Sequence, residues 1–235
     1  MAKKIAGTTY MTGMERIAGT IFFLVYLLVM PLLASRLFDF IGTLLGTHIA
    51  AAQRNVWYYY VMFALTLLLF HEFIAHTTSF FFDSFGESAK AWWIGLVAFY
   101  GANELLYRVC RLIFGSRVNL NDVTIAAQIE SVPRLTAAII VFFAPFVEEV
   151  LFRGLVFGCL KEKSRFLGYA VSCALFAFLH VWSLARGGWT LNELLLLAQY
   201  IVPGAAFAWA YDRSGTLWPS ILLHMTVNAL ALWVS

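Results

Sequence analysis

The sequence predicts an all-α membrane protein, a polytopic bundle of about seven transmembrane helices, with six to eight as the range that its length allows. Of its 235 residues, 62% are hydrophobic and only 12% are charged, whereas soluble domains carry about 25% charged residues. Apolar runs of about 20 residues, the length of a membrane span, recur along the whole chain. The net charge of +3 is small and scattered, which argues against a nucleic-acid-binding surface and leaves the lipid bilayer as the expected partner.

The predicted spans are the apolar runs between charged residues or glycine and proline. They lie at about 17–37, 56–74, 91–114, 135–160, 166–184, 191–211 and 217–234. The third contains Asn103, Glu104 and Arg108, of which the last two stand four residues apart and are expected to neutralise each other. The polar stretch 115–134 is predicted to be a loop or an interfacial helix.

Orientation follows from lysine and arginine in the short loops. The two strongest clusters are Lys3 with Lys4 and the stretch 161–165, and four predicted spans separate them. Both clusters can therefore be cytoplasmic, which predicts a multi-pass protein of the cell membrane with a cytoplasmic N-terminus. Three arginines argue for the opposite orientation: Arg108, Arg111 and Arg117.

The fourth predicted span contains three charged residues, Glu148, Glu149 and Arg153. A charged side chain at the middle of a spanning helix costs about 2.5–3.5 kcal/mol on insertion scales. Glu149 and Arg153 share one face of a helix, whereas Glu148 points about 100° away. The pattern predicts that Glu149 neutralises Arg153, which leaves Glu148 able to act as a general base. The alternative is a structural ion-pair cluster. Gly154 and Gly158 form G-x-x-x-G, which favours close approach of another helix.

The fifth and seventh predicted spans each carry polar residues in an apolar run. Phe176 and His180 stand four apart, so the phenyl ring is expected to lie against the imidazole. His224 and Asn228 also stand four apart and present two hydrogen-bond donors on one face, as an oxyanion hole requires. Taken alone, His180 could be a hydrogen-bonded core residue, and the His224–Asn228 pair could be interhelical hydrogen bonding. Together with Glu148, these groups form a complete set for water attack on an amide carbonyl.

The three motifs resemble those of the CaaX protease and bacteriocin-processing family, also called the Abi family, whose best-known branch is the type II CaaX prenyl endopeptidase. The resemblance covers about residues 135–234. The motifs, in chain order, are Glu148-Glu149-x-x-x-Arg153, Phe176-x-x-x-His180 and His224-x-x-x-Asn228, with Ala144-Pro145 and Phe152-Arg153-Gly154 as matching context.

This resemblance implies an intramembrane endopeptidase of the glutamate type that needs no metal or other cofactor. Glu148 with His180 would activate the attacking water, and His224 with Asn228 would stabilise the oxyanion of the tetrahedral intermediate. The residues that would support the geometry and charge balance of the site are Glu149, Arg153 and Phe176.

The resemblance also implies a peptide or protein substrate reached from the membrane, either a prenylated CaaX tail or a bacteriocin or signalling-peptide precursor. The compact chain with short loops favours bacterial peptide processing or self-immunity. The catalytic core is expected at 135–235, and 1–134 would form N-terminal membrane spans and a connecting interfacial loop.

The residues alone are also compatible with three other functions. A zinc metalloprotease could use Glu148, His180 and His224 as ligands. A non-catalytic immunity or scaffold protein could use the same fold to bind a partner. A transporter could relay protons through the glutamates and histidines, although no repeated half is present.

Three further patterns predict structure and no additional chemistry. His71 and His76 are five residues apart, so on a helix they diverge by about 140° and cannot form the zinc site that a two-histidine signature would suggest. The three cysteines form no C-x-x-C pair. The aromatic residues predicted to lie in an interfacial belt are Trp57, Tyr58, Tyr59, Tyr60, Trp92, Trp93 and Trp218.

Overall fold

The structure, a computed structural model, describes residues 10–114, 133–182 and 188–234. Across these ranges the chain forms nine helices and no strand. The helices are α1 Gly13–Leu24, α2 Met30–Leu44, α3 Ala51–Leu69, α4 His71–Asp83, α5 Phe85–Phe114, α6 Arg134–Lys161, α7 Arg165–Val181, α8 Leu191–Ser214 and α9 Trp218–Val234. The predictions for Lys3, Lys4, Arg117, most of the stretch 115–134 and the end of the fifth span fall outside the described residues.

An all-α membrane bundle is confirmed, but length and composition alone identify fewer spans than seven. Among the described residues, two helices, α6 and α8, are long and apolar enough to cross a membrane. The count rises to four if each bent pair, α1 with α2 and α3 with α4, is one interrupted span. The fifth and seventh predicted spans correspond to α7 and α9, which have 17 residues each and are shorter than the usual 20 or so. The figure of about seven therefore stays a prediction.

The third predicted span lies inside α5, a helix of 30 residues. Glu104 and Arg108 are ion-paired on its outer face, with Arg108 Nε 2.7 Å from Glu104 Oε1 and both side chains more than half exposed. These charges lower the hydropathy of α5, which is not among the helices that qualify as spans by length and composition.

The centre of the bundle is α6. Its side chains from Val147 to Leu155 are buried, including Phe152, which meets Phe23 of α1 and Phe176 of α7 in edge-to-face contacts at 5.3 and 5.5 Å between ring centroids. Helices α1, α3, α7, α8 and α9 all pack against it. The charged segment of the fourth predicted span is therefore enclosed by protein and does not face lipid.

Gly154 on α6 allows the close helix approach that its motif predicts. A Cβ atom at this position would lie 2.7 Å from a ring carbon of Phe73 and 3.0 Å from the terminal methyl of Met11. Phe73 belongs to α4 and is fully buried. The glycine thus lets α4 press directly on the segment that carries the charges.

The path from α3 to α4 turns by 80° at Phe70, inside what the hydropathy predicts as one span. Glu15 stabilises the new helix start, since its Oε1 accepts the backbone N–H of Phe73 at 2.8 Å. The other carboxylate oxygen of Glu15 accepts the backbone N–H of Thr12 at 2.9 Å and completes a capping box at the start of α1. One buried carboxylate therefore ties two helix N-termini together beside α6.

Candidate active site

Glu149 is fully buried and its two carboxylate oxygens are held by three side chains. Oε1 lies 3.0 Å from Nη1 of Arg153 and 2.9 Å from Nδ1 of His224. Oε2 accepts a hydrogen bond from the hydroxyl of Ser220. Because Ser220 and His224 lie one turn apart on α9, the carboxylate fastens α9 to α6.

Arg153 is fully buried as well and extends the network to two more helices. Its Nη2 donates to the backbone oxygen of Gly204 on α8 at 3.0 Å. The guanidinium carbon lies 4.3 Å from the ring centre of Phe176 and 5.3 Å from that of Phe207, which is cation–π geometry. The pair of Glu149 and Arg153 thus forms a charge-balanced junction among α6, α7, α8 and α9.

Glu148 has a different environment from its neighbour. The residue is only 5% exposed, yet its Oε2 has no hydrogen-bond partner among the described residues. The nearest basic atom is Nε2 of His180, at 3.8 Å, which is too far for a direct hydrogen bond. A buried carboxylate oxygen without a partner requires a water or a ligand.

His180 is oriented by its own helix. Its Nδ1 lies 2.8 Å from the backbone oxygen of Phe176; since a carbonyl only accepts, Nδ1 carries the hydrogen and Nε2 is the atom turned toward Glu148. The imidazole lies between the ring of Phe176, at 4.5 Å, and the stacked ring of Tyr200, also at 4.5 Å. The two aromatic rings restrict the histidine to this orientation.

His224 and Asn228 contact α6 at different places. His224 stacks on Phe207 at 4.4 Å and directs Nδ1–H to the Glu149 carboxylate. Asn228 donates from Nδ2 to the backbone oxygen of Ile140 at 2.8 Å. Asn228 is thus brought to α6, but it is not bonded to any of the other predicted site residues.

The seven predicted residues therefore fall into three groups. Glu149 is bonded to both Arg153 and His224, with Phe176 against the guanidinium. Glu148 and His180 face each other across a gap, and Asn228 is bonded to the Ile140 carbonyl of α6. Ser220 was not predicted from the sequence. Its position four residues before His224, on the same helix face, is the signal that could have found it.

Three parts of the described chain are wound as π-helix: Val25–Val29, Ile139–Phe143 and Glu149–Phe157. The last carries Glu149 and Arg153, and the middle one supplies the Ile140 carbonyl that Asn228 binds. Wide helical turns of this kind occur often at functional sites, and neither the hydropathy nor the motif spacing of these segments predicts them.

Potential metal ligands are not clustered in the ranges that the structure covers. No three His, Cys, Asp or Glu side chains there are placed to hold an ion. His76 stacks on Tyr10 with ring centroids 4.0 Å apart, whereas His71 is exposed at the start of α4.

Comparison with known proteins points to one family. Residues 130–230 match the sequence model of the type II CAAX prenyl endopeptidase Rce1-like family. The chain is also 30% identical over 122 residues to YdiL of Bacillus subtilis, which is named as a candidate membrane peptidase. That alignment spans 51% of this chain and 45% of YdiL, so the chain matches less than half the length of this relative. No solved structure matches the chain significantly.

Proposed function

Because residues 130–230 of the chain belong to the Rce1-like family of type II CAAX prenyl endopeptidases, we propose that it is an intramembrane endopeptidase that hydrolyses a peptide bond with water activated by Glu148 and His180. The observation that carries this proposal is the buried Glu148 Oε2, which has no partner among the described residues and faces His180 Nε2 at 3.8 Å. Residues 135–235 would form the catalytic core.

A water molecule suits this gap because both facing atoms are acceptors. The water would donate one hydrogen to Glu148 Oε2 and the other to His180 Nε2, each over an ordinary hydrogen-bond distance. Glu148 would take a proton as the water oxygen attacks the scissile carbonyl carbon. The same proton would pass to the leaving amine when the carbon–nitrogen bond breaks, so that the carboxylate is restored.

The developing oxyanion needs donors, and His224 with Asn228 would supply them. The Nδ1–H of His224 is committed to Glu149, so the ring donates from Nε2 only when both nitrogens carry hydrogen. Glu149 would stabilise that charged form. Asn228 uses one amide hydrogen on Ile140, and its second is available for the oxyanion.

Glu149, Arg153 and Phe176 would act as positioning residues. Their contacts involve four helices and fix the α9 face that carries His224. The substrate would be a peptide or protein reached from the membrane, of the CaaX type or a bacteriocin or signalling-peptide precursor. The chain would lie in the cell membrane with several spans and a cytoplasmic N-terminus.

The test compares wild type with Glu148→Gln in membranes that contain a candidate substrate, with mass spectrometry of the products. Loss of a general base lowers the rate by about 10²–10⁴-fold, so the variant is expected to leave the substrate uncut. Glu104→Gln, at an exposed glutamate on α5, is the matched control and is expected to cut like wild type. Equal cleavage by wild type and Glu148→Gln would show that Glu148 is not the general base and would refute the proposed mechanism.

The same preparation separates the alternatives. A metal chelator is expected to leave cleavage unchanged, and a requirement for added zinc would favour the metalloprotease. An immunity or scaffold protein would keep its biological effect in Glu148→Ala.

A further inference from the structure

Three tyrosines that the proposed mechanism does not use lie close to Glu148. Helix α3, which carries Tyr58 and Tyr59, packs on the segment of α6 that ends in Glu148. Phe23, one turn before Tyr26, meets Phe152 of α6. All three phenols are within electrostatic reach of Glu148. Tyr26 belongs to the π-helical turn Val25–Val29 and the other two to α3. All three therefore come from helices that precede the family match at 130–230.

The packing of α3 on α6 brings this group to the glutamate. Phe63 of α3 meets Phe143 and Phe146 of α6 at 4.9 and 5.0 Å between ring centroids. Tyr59 lies one turn before Phe63 on the same face of α3. The Tyr58 ring meets the Tyr59 ring edge to face at 5.1 Å. These contacts hold Tyr59 on the side of α3 that faces α6, with the Tyr58 ring against it.

The hydroxyl groups of this cluster lack partners. Tyr26 is 3% exposed and the other two tyrosines are half-buried. In the parts of the chain that are described, none of the three phenol oxygens makes a hydrogen bond, and neither does Oε2 of Glu148. Of these four groups, only Glu148 Oε2 is enclosed without a partner among the described residues, and such an atom requires a polar atom of another molecule. The three phenol oxygens are not enclosed, so they are free to bind the same molecule beside it.

A bound peptide supplies the matching chemistry. A peptide that enters from the membrane must give up its own helical hydrogen bonds to expose one amide bond to attack, and its carbonyl oxygens then need donors. Carboxylates cannot donate to a carbonyl, but neutral phenols can. The tyrosine cluster therefore complements Glu148, which handles the water.

We propose that Tyr26, Tyr58 and Tyr59 form a wall of the substrate cavity beside Glu148 and donate hydrogen bonds to backbone carbonyl groups of the bound peptide. This inference rests on the proposed endopeptidase function and extends it, since it assigns part of the site to the N-terminal helices. These residues would be substrate-binding groups outside the three family motifs.

The experiment uses the full chain in lipid vesicles with two fluorogenic peptides, one with a farnesylated CaaX tail and one with the same tail unmodified. Each tyrosine is replaced by phenylalanine, which keeps the ring and removes only the hydroxyl. Tyr60→Phe is the matched control, because Tyr60 is on α3, its ring also packs on α6 at 4.9 Å from Phe143, and its side chain is 44% exposed, without the electrostatic link to Glu148 that the other three show. Each of the three variants is expected to raise KM about 2- to 10-fold, the loss of one neutral hydrogen bond, with kcat within about twofold; Tyr60→Phe is expected to match wild type.

A second readout does not require turnover. In the Glu148→Gln background, a photoreactive benzophenone amino acid at position 26, 58 or 59 is expected to cross-link a peptide that wild type cleaves, and the same group at position 60 is not. If the three phenylalanine variants behave like Tyr60→Phe and the cross-linking is equal at all four positions, the inference is wrong even though cleavage continues. If wild type cuts neither peptide, and neither peptide cross-links at positions 26, 58 and 59 more than at position 60, the inference is wrong for this substrate class. If Glu148→Gln cuts the peptides like wild type, the proposed function itself fails.

Discussion

Replacement of Arg153 by methionine is expected to destabilise the protein strongly. Methionine keeps an apolar chain against Phe176 but removes the hydrogen bonds to Glu149 and to the Gly204 carbonyl, both 3.0 Å long and fully buried. Breaking one side of a buried ion pair costs about 3–5 kcal/mol because the remaining charge is left uncompensated. For a protein of this size each kcal/mol lowers Tm by about 2–4 °C, so Arg153→Met should unfold about 6–20 °C below wild type.

The chain offers a matched control in α5. Glu104 and Arg108 form the same kind of pair at the same spacing, but both side chains are more than half exposed and can move toward water or lipid headgroups. Exposed pairs contribute about 0–1 kcal/mol, so Arg108→Met should shift Tm by no more than about 4 °C. Thermal unfolding in one detergent at one scan rate compares the variants.

A shift for Arg153→Met as small as that for Arg108→Met would refute the reasoning. Adding Glu149→Gln to Arg153→Met removes the uncompensated charge and is expected to recover part of the lost stability. It is not expected to recover cleavage, because His224 loses the carboxylate that orients it.

Three further predictions concern packing and capping around the site. Gly154→Ala is expected to destabilise the protein by about 1–3 kcal/mol through overpacking. Gly101→Ala, where a Cβ meets nothing within 4 Å, should be neutral or slightly stabilising. Thermal unfolding of both variants checks this, and equal shifts in Tm would contradict it. Ser220→Ala is expected to cost about 1–3 kcal/mol, since Glu149 loses a buried donor, and to lower kcat more than it raises KM; a change in KM alone would argue against a positioning role. Glu15→Ala is expected to cost about 1–2 kcal/mol through loss of its capping bonds, measured by thermal unfolding, while KM remains unchanged.

The sequence predicted what local helix geometry determines. Glu149 with Arg153, and Phe176 with His180, are four residues apart, and both pairs are in contact at that spacing. The membrane class followed from composition, and the charged segment stood out because charges are costly in a span. The two pairs depend only on residues within one helical turn, and composition does not depend on the fold, so one sequence suffices to find both.

Long-range contacts could not be predicted in this way. The hydrogen bond from His224 to Glu149 joins residues 75 apart, and the Ser220 hydroxyl reaches the same carboxylate from 71 residues away. The turn at Phe70 interrupts an apolar run without a nearby proline or glycine. It is stabilised by Glu15, 58 residues before the backbone N–H that it accepts. A helix break of that kind depends on a tertiary partner that hydropathy does not record.

Tyr58 and Tyr59 illustrate how tertiary packing can change the meaning of a pattern. Four consecutive aromatic residues at 57–60 are typical of a membrane interface. Trp57 and Tyr60 are 61% and 44% exposed, although the Tyr60 ring also packs on Phe143 of α6. The two residues between them are half-buried and lie near Glu148. Neighbouring positions of one aromatic run can therefore be exposed or lie against the site, and only the helix packed beside them distinguishes the two.

The two adjacent glutamates show how the fold separates groups that the sequence leaves equivalent. Consecutive residues on a helix diverge by about 100°, so one carboxylate can bind the junction of four helices while the other remains at the gap. Which glutamate takes which position depends on α9, because Ser220 and His224 reach Glu149 and leave Glu148 Oε2 without a partner among the described residues. The buried charge of Glu149 is tolerated here because Arg153 compensates it and is hydrogen-bonded to it. The proposed reactivity of Glu148 therefore depends on its neighbour being fully bonded, which is why variants of the junction are expected to reduce both stability and cleavage.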